Sequence, residues 1–249
     1  GAVKVTPAHD PNDFEIGQRH NLPQIIVLDE SAVTNDNVPE RFRGLDRYDC
    51  RKKLIAALEE DGKLIETKDH AMSRGHSQRS GAVVEPYLSK QWFVDMKKIV
   101  QPAIDAVKNG DTQIVPQRWE KLYFEWMENI RDWCISRQIW WGHRIPVWYK
   151  KDDPDKTPIV SMVAPEGDNY IQDNDVLDTW FSSGLWPFST MGWPEETNDL
   201  NRYYPTNFLV TGYDILTFWV SRMMTMGHTL THKTPFSTVY IHGLVRDMT

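Results

Sequence analysis

The C-terminal part of the sequence alternates apolar segments in the order strand, helix, strand, and this order constrains the fold more than any other feature. Residues 207–211 (NFLVT) predict a buried strand, and residues 238–241 predict the next one. Between them, residues 215–230 have the length and the methionine-rich apolar composition of a buried helix. This β-α-β order predicts a parallel sheet in an α/β fold.

Glycine and polar residues follow both predicted strands directly. In an open parallel sheet, ligands bind outside the carboxyl ends of the strands. The sequence therefore predicts one ligand-binding rim formed by Gly212, Asp214, His242 and Gly243.

Length and composition set the outer limits. The chain has 249 residues, enough for one large domain or two smaller ones. A hydrophobic content of 40% and a charged content of 25% are typical of a soluble globular protein, and no apolar run is long enough to cross a membrane. The net charge of −7 argues against a general coat for DNA or other nucleic acid but permits a local basic face for RNA. With no secretory signal at its start, the chain is expected in the cytoplasm.

Cysteine usage gives no indication of a metal site. Cys50 and Cys134 cannot form a structural zinc site on their own, and no Cys-x-x-Cys pair is present. Each is interpreted as a small apolar core residue. We therefore expect neither structural zinc nor another bound metal in this segment.

Three further segments have helical periodicity. Apolar residues at four-residue spacing from Cys50 to Leu58 predict one helix. Residues 93–107 predict a second, kinked at Pro102, and residues 120–134 predict a third. All three are interpreted as scaffold.

Residues 175–194 (DVLDTWFSSGLWPFSTMGWP) are the most aromatic stretch of the chain. Small hydroxyl residues and two carboxylates accompany its three tryptophans, Trp180, Trp186 and Trp193. Such a segment can form an apolar pocket with polar rims for a small ligand. The alternative is an aromatic core loop, since buried aromatic side chains mostly serve packing.

The N-terminal segment crowds polar residues into one loop. Residues 2–5 predict a strand, which is followed by Thr6, His9, Asp10 and Asp13. From residue types alone, an Asx-type turn in which the carboxylates bond the backbone explains this loop.

Residues 136–149 (SRQIWWGHRIPVWY) interleave cations with tryptophans. Arg137, His143 and Arg144 flank Trp140 and Trp141. This pattern is compatible with stacking on unpaired bases. Cations packed on tryptophan faces within the protein would produce the same pattern.

Four motifs occur together in an informative order: WCISRQIWWGHRIP, DVLDTWFSSGLWPFS, GYDILTFWVSRMM and IHGLVRDMT. Their sequence and spacing resemble the valyl-tRNA synthetases and, less closely, the isoleucyl and leucyl enzymes, over essentially the whole chain. The resemblance implies an α/β fold that combines the second half of a class I Rossmann-type catalytic domain with the C-terminal half of a mixed α/β editing (CP1) domain. It places the editing part at residues 1–70 and the catalytic part at residues 71–249, which end just before the KMSKS region, with the HIGH motif upstream.

The resemblance also implies roles for residues of the catalytic part. Trp180, Ile215 and Trp219 would wall a valine pocket. The rim residues Gly212, Asp214, His242 and Gly243 would bind ATP, which enters with Mg²⁺ as a substrate.

The first residues, GAVKVTPAHDPNDFEIG, resemble the editing signature of valyl enzymes, with Lys4 where isoleucyl enzymes usually carry a histidine. By this resemblance Asp13 holds the α-amino group of a mischarged amino acid, Lys4 and Thr6 line the pocket, and Asp10 is a second acidic position. Hydrolysis of an aminoacyl ester requires such groups, because the ammonium must be anchored, water positioned and the developing oxyanion stabilised.

The implied function is that of a valine–tRNA ligase with three steps: activation of valine by ATP, transfer to tRNA(Val), and hydrolysis of mischarged threonyl-tRNA(Val). As is established for the valyl enzymes themselves, a pocket shaped for valine rejects threonine only about 100-fold, so a second site is needed. The partners implied are tRNA(Val), valine and ATP, in a monomeric enzyme without membrane contact. This segment alone is not expected to aminoacylate tRNA. The alternatives are an isoleucyl-tRNA synthetase fragment and a non-catalytic tRNA-binding module.

Overall fold

A computed structural model describes residues 1–78, 80–153 and 157–247. The chain separates into two units, Gly1–Lys90 and Gln91–Thr249. The sequence placed the domain boundary between residues 70 and 71, whereas the units divide after Lys90. The assignment of the two parts to an editing and a catalytic domain stays a prediction.

The first unit is built on two helices and long loops. Helix α1 spans Pro11–His20 and helix α2 spans Arg47–Glu60, which confirms the helix predicted around Cys50. The strand predicted at residues 2–5 is wrong, because these residues pair with no strand in the described part of the chain. An apolar segment becomes a strand only where a partner completes its hydrogen-bond ladder.

A three-stranded parallel sheet forms the centre of the second unit. Its strands are β2 (Gln113–Val115), β9 (Thr206–Gly212) and β10 (Phe236–His242), in the order β2-β10-β9. Helix α9 (Ser221–Thr231) joins β9 to β10, which confirms the predicted β-α-β order. The segment before α9 differs from the expected helix, because Leu216–Val220 forms a π-helical turn.

The helices between residues 96 and 128 are shorter than the sequence predicted. Helix α3 (Met96–Ile99) ends before α4 (Gln101–Lys108), so Pro102 occupies the first turn of a new helix instead of kinking a continuous one. A proline is tolerated there because the first N–H groups of a helix have no intrahelical partner. Helix α5 (Glu120–Glu128) stops well before residue 134.

Short strands and helices complete the second unit. Strand β1 (Phe93–Val94) pairs with β3 (Trp133–Cys134), and β4 (Ser136–Arg137) pairs with β8 (Val176–Leu177), both antiparallel. A separate antiparallel sheet contains β5 (Val147–Lys150), β6 (Ile159–Val160) and β7 (Tyr170–Gln172). The remaining helices are α6 (Thr179–Gly184), α7 (Trp186–Ser189) and α8 (Asn198–Tyr203). Among the described residues, no helix is both long and apolar enough to span a membrane.

The core of the second unit lies between the parallel sheet and helices α4, α5 and α9. It includes Ile104, Tyr123, Met223, Met224 and Val239. These side chains are at most 3% exposed, so the sheet and the helices form one packed body. That body fixes the positions of the strand ends.

Replacing Tyr123 with phenylalanine tests this core. The buried Tyr123 hydroxyl donates a hydrogen bond to the Ala103 carbonyl over 3.0 Å, and burial raises the pKa of Tyr123. The folded state therefore retains this proton above about pH 10, where the unfolded chain loses it, and stability falls as the pH rises further. We expect Tyr123→Phe to cost about 1 kcal/mol at pH 8 and to flatten the alkaline loss. Urea unfolding at pH 8 and pH 11 measures both effects, and an equally steep alkaline loss in the variant would contradict the assignment.

Candidate functional site

Asp13 is the centre of the N-terminal polar cluster. Its Oδ2 accepts hydrogen bonds from the Thr6 backbone N–H at 2.7 Å and from the Thr6 hydroxyl at 3.1 Å. The Lys4 ammonium lies 3.6 Å from the same oxygen. The Thr6 N–H lowers the pKa of Asp13, the Thr6 hydroxyl and Lys4 add to this effect, and burial opposes it. Asp13 is therefore an ionised carboxylate at neutral pH.

The cluster brings together all four residues predicted for the editing pocket, but not in equivalent roles. Asp10 caps helix α1, because its Oδ1 accepts the Asp13 N–H at 2.9 Å. Lys4 is 76% exposed, and its ammonium also donates to the Thr6 hydroxyl at 3.1 Å. The Asx-type alternative therefore describes Asp10 well. Asp13 retains Oδ1, which accepts no hydrogen bond from the described residues and is free for an ammonium ion.

His9 is tied into the scaffold of the first unit. Its Nε2 accepts the Val27 N–H at 2.9 Å, and its Nδ1 lies 3.1 Å from the Pro86 carbonyl. Because the carbonyl can only accept, Nδ1 carries the proton and the ring is neutral with both nitrogens engaged. His9 has no free nitrogen to activate water in this arrangement.

A cavity of about 500 Å³ lies beside this cluster, and Thr6 and His9 form part of its wall. Arg47 also lines it and pairs with Glu85 over 3.0 Å. This pair is not predictable from the sequence, because its members are separated by 38 residues and neither belongs to a recognisable motif. The remaining wall is mostly apolar: Val27, Leu28, Val38, Pro39, Phe42 and Leu54.

The second unit brings the four predicted rim residues together. Gly212 ends β9 and pairs directly with His242, which ends β10, so Asp214 and Gly243 follow at adjacent strand ends. A Cβ atom at Gly212 would clash with Asp214 Oδ1 and lie 3.1 Å from Leu244 Cδ2, so it would displace the Asp214 carboxylate. The Asp214 carboxylate is exposed and accepts no hydrogen bond from the residues that the structure describes.

Two further aromatic residues belong to this end of the sheet and were missed from the sequence. Trp119 and Tyr213 stack with ring centroids 5.1 Å apart and an interplanar angle of 4°. The Tyr213 hydroxyl lies 3.4 Å from Arg246. Because Tyr213 lies between Gly212 and Asp214, the stack fixes the turn that carries the carboxylate.

Two of the three predicted valine-pocket residues, Trp180 and Trp219, meet at helix α6. Trp180 lies on this helix and stacks on Phe218 with centroids 6.0 Å apart. Trp219 donates its Nε1–H to the Ser183 carbonyl of the same helix at 3.0 Å. Ile215 is half-buried just before the π-helical turn.

The tryptophans of the aromatic segment differ in exposure, and the ligand pocket stays a prediction. Trp193 packs edge-on against the buried Phe188 with centroids 5.3 Å apart, as in a core loop. Trp186 is 45% exposed and contacts Trp219 at 5.8 Å. The segment therefore has a packed side and an open side.

Trp140 and Trp141 lie fully in solvent, with exposed fractions of 107% and 91%. Neighbouring cations point elsewhere: Arg137 pairs with Asp178 at 3.0 Å, and Arg144 donates to the Asp173 carbonyl at 3.0 Å. No cation of the described ranges lies over either ring, so packing of cations on these tryptophans is the wrong alternative. Stacking on unpaired bases stays a prediction. No group of three or more His, Cys, Asp or Glu residues in the described part of the chain is arranged to hold a metal ion.

These strand ends and motifs belong to a defined class of protein. The family model for tRNA synthetases class I (I, L, M and V) matches residues 13–164 and 153–249. The chain therefore belongs to the class I tRNA synthetases, and its parallel sheet is part of their α/β fold.

Within that family, the chain is similar to valine–tRNA ligases. It is 59% identical to the valine–tRNA ligase of Bacillus licheniformis over 99% of its own length and 28% of the relative's length. It is 56% identical to that of Thermotoga maritima over 99% of its length and 29% of the relative's. The chain thus spans less than a third of these relatives. A crystal structure of Mycobacterium tuberculosis methionyl-tRNA synthetase bound by methionyl-adenylate covers 69% of this chain and 30% of its own at 16% identity, with a TM-score of 0.46.

Proposed function

We propose that this chain is part of a valine–tRNA ligase that activates valine with ATP and transfers it to tRNA(Val). The observation that carries the proposal is the meeting of Gly212, Asp214, His242 and Gly243 at two adjacent strand ends. An open rim with a free carboxylate suits the hydroxyl groups and the ring of a nucleoside, with Mg²⁺ entering on the phosphates of ATP. Family membership and identities of 56–59% to valine–tRNA ligases support the choice of substrate.

The proposed amino-acid site adjoins this rim in the sequence and on the same fold unit. Trp180 and Trp219 supply flat rigid walls, and Ile215 supplies a branched apolar surface. Flat walls select a small apolar side chain by shape, which suits valine. Enzymes of this kind act in the cytoplasm, and we propose that the complete enzyme is a monomer.

The proposed editing site lies in the first unit. Asp13 Oδ1 anchors the α-amino group of a misplaced threonine, while Thr6 and Lys4 hold the other carboxylate oxygen and Thr6 lines the pocket. The cavity of about 500 Å³ beside Thr6 has room for an amino acid and its ribose ester. Because both nitrogens of His9 are bonded, water is activated by another group.

The partner of the exposed Trp140 and Trp141 is proposed to be the unpaired end of tRNA. Two fully exposed tryptophan rings close in sequence to Arg144 offer stacking surfaces and positive charge to single-stranded bases.

Pyrophosphate exchange by the enzyme that contains this chain tests the proposed activation step. Valine is expected to support exchange far better than isoleucine, and threonine is expected to support it weakly. Exchange driven by isoleucine would identify the isoleucyl alternative. No exchange with any amino acid would favour the non-catalytic RNA-binding module.

The glycines of the rim separate a ligand effect from a structural one. A Cβ atom at Gly243 would meet no described atom within 4 Å, whereas one at Gly212 would displace the Asp214 carboxylate. We expect Gly243→Ala to keep the melting temperature but to raise the KM for ATP several-fold, because only the ligand occupies that space. Gly212→Ala is expected to change both. The control is Gly75→Ala, where the Cβ would meet Val84 at an ordinary 3.8 Å. An unchanged KM for ATP in Gly243→Ala would show that ATP does not occupy the space beside Gly243.

A further inference from the structure

Arg222 is a buried cation whose side chain forms no hydrogen bond with the residues that the structure describes. It lies on the methionine-rich helix α9 and is only 9% exposed. Its Nε is buried and unbonded, and no described residue forms a hydrogen bond or ion pair with its guanidinium. The guanidinium carbon lies 3.8 Å from the centroid of the Trp133 ring, so one face is covered by an aromatic side chain. A buried N–H donor without an acceptor costs free energy, so an acceptor from outside these contacts is expected at Arg222 Nε.

The nearby carboxylate, that of Asp178, already has an ion-pair partner and a hydrogen-bond donor. Asp178 Oδ2 pairs with Arg137 at 3.0 Å and accepts the Trp133 Nε1–H at 2.9 Å. Its other oxygen lies 3.4 Å from the Trp180 N–H at the start of α6. Burial lowers the pKa of Arg222 to about 10, Asp178 opposes this shift, and the positive charge of Arg137 adds to it. Arg222 thus remains charged at neutral pH while Arg137 takes the salt bridge.

A cavity of about 370 Å³ opens beside this cation. Among its described lining residues are three arginines, Arg131, Arg137 and Arg222, but one acid, Asp132. Trp126 and Trp133 contribute flat apolar walls to it. The cavity shares no lining residue with the strand-end rim, so it is a separate place on the second unit.

The other space around Arg222 offers no counter-charge. A second cavity of about 160 Å³ borders Arg222 and is lined mainly by apolar side chains, among them Val94, Met96, Ile99, Phe181 and Leu230. The hydroxyls of its two threonines, Thr225 and Thr229, donate to the backbone carbonyls of Ser221 and Thr225, both in α9. Of these two cavities, the larger, arginine-lined one therefore offers an anion the more favourable approach to Arg222.

We propose that the cavity lined by Arg131, Arg137 and Arg222 binds a phosphate group. A guanidinium presents parallel N–H donors that match the oxygens of phosphate, and stacking on Trp133 holds the Arg222 donors in place. A tetrahedral phosphate offers several oxygens, so it can bond Arg222 and still face Arg131 and Arg137. The phosphate belongs either to a free anion such as pyrophosphate or to the backbone of RNA.

Titration calorimetry of the chain with inorganic phosphate, pyrophosphate and a short unstructured oligoribonucleotide tests this site. We expect saturable binding of one anion per chain, weakened about tenfold or more in Arg222→Gln. Arg131 lies at the exposed edge of the cavity. We expect Arg131→Gln to weaken anion binding about threefold without a change in melting temperature. Arg202→Gln is the control, because Arg202 also lies over an aromatic ring, 5.5 Å from the Tyr203 centroid, but outside the cavity.

The outcomes separate the possibilities. Tighter binding of the oligoribonucleotide than of pyrophosphate, lost in Arg222→Gln, identifies an RNA backbone site, and the reverse order identifies a site for the free anion. If Arg222→Gln does not fold, anion binding by Arg131→Gln is compared with that of the wild-type chain and tests the proposal by itself. The proposal is overturned if none of the three probes binds the wild-type chain, or if Arg131→Gln and Arg202→Gln behave alike. Pyrophosphate exchange is not the readout, so failure of the proposed ligase activity would be seen separately.

Discussion

Replacing Asp13 with asparagine is expected to slow the hydrolysis of threonyl-tRNA(Val) by about 10- to 100-fold, which corresponds to one hydrogen bond to a charged group. Asparagine has the shape of aspartate but lacks the charge that holds an ammonium ion. In the structure Oδ2 is already bonded to Thr6, while Oδ1 accepts nothing from the described residues. The loss is therefore expected in binding of the threonyl α-amino group. Release of threonine from preformed threonyl-tRNA(Val) measures it, in the ligase that contains this chain.

The matched control is Asp29→Asn. Asp29 also accepts backbone N–H groups with one carboxylate oxygen, from Ser31 and Val33 at 2.9 Å each. It lies in the same unit but has no place in the proposed pocket. We expect this variant to hydrolyse threonyl-tRNA(Val) at the wild-type rate, and both variants to activate valine normally. Wild-type hydrolysis by Asp13→Asn would reduce the N-terminal cluster to a turn and a helix cap.

The sequence predicted the strand ends well because their pattern is local. A buried strand, a tight turn and a buried helix each follow from a few consecutive residues, and the parallel pairing then places Gly212 beside His242. The length of the helices was harder to predict. An apolar stripe continues past Glu128, but the chain leaves the helix there and forms β3 with Phe93 as a partner. Periodicity cannot report a strand partner that lies 41 residues away.

The candidate sites were predictable only where a motif carried them. The N-terminal signature named Asp13, yet only the fold shows that Thr6 occupies Oδ2 and that both nitrogens of His9 are engaged. Arg222 was missed because a cation on a helix is ordinarily a solvated residue. The available signal was its setting, since it precedes Met223 and Met224 on a helix whose first half is wholly buried. A charge within an apolar helical run indicates a buried ion that requires a partner.

Replacing Trp219 with leucine is expected to relax the choice between valine and isoleucine by about tenfold or more. One methylene in an apolar pocket contributes about 1–3 kcal/mol to discrimination, and a wall that is too close for isoleucine is the means of rejecting it. Trp219 is fixed by its Nε1–H bond to Ser183 and by contact with Trp186. Leucine removes the bond and part of the wall, so isoleucine gains room while valine loses contact. Amino-acid-dependent pyrophosphate exchange measures the ratio of the two values of kcat/KM.

Trp148→Leu separates the pocket from general packing. Trp148 is also half-buried and donates its Nε1–H to a serine carbonyl, that of Ser161, over the same 3.0 Å. It lies on β5, so the substitution removes the same kind of bond from a different sheet. We expect Trp148→Leu to keep the wild-type ratio of kcat/KM for valine to kcat/KM for isoleucine, whatever its effect on stability. If both variants gave the same ratio of kcat/KM values, Trp219 would only pack the core. A shift confined to Trp219→Leu would place the amino-acid side chain against Trp219.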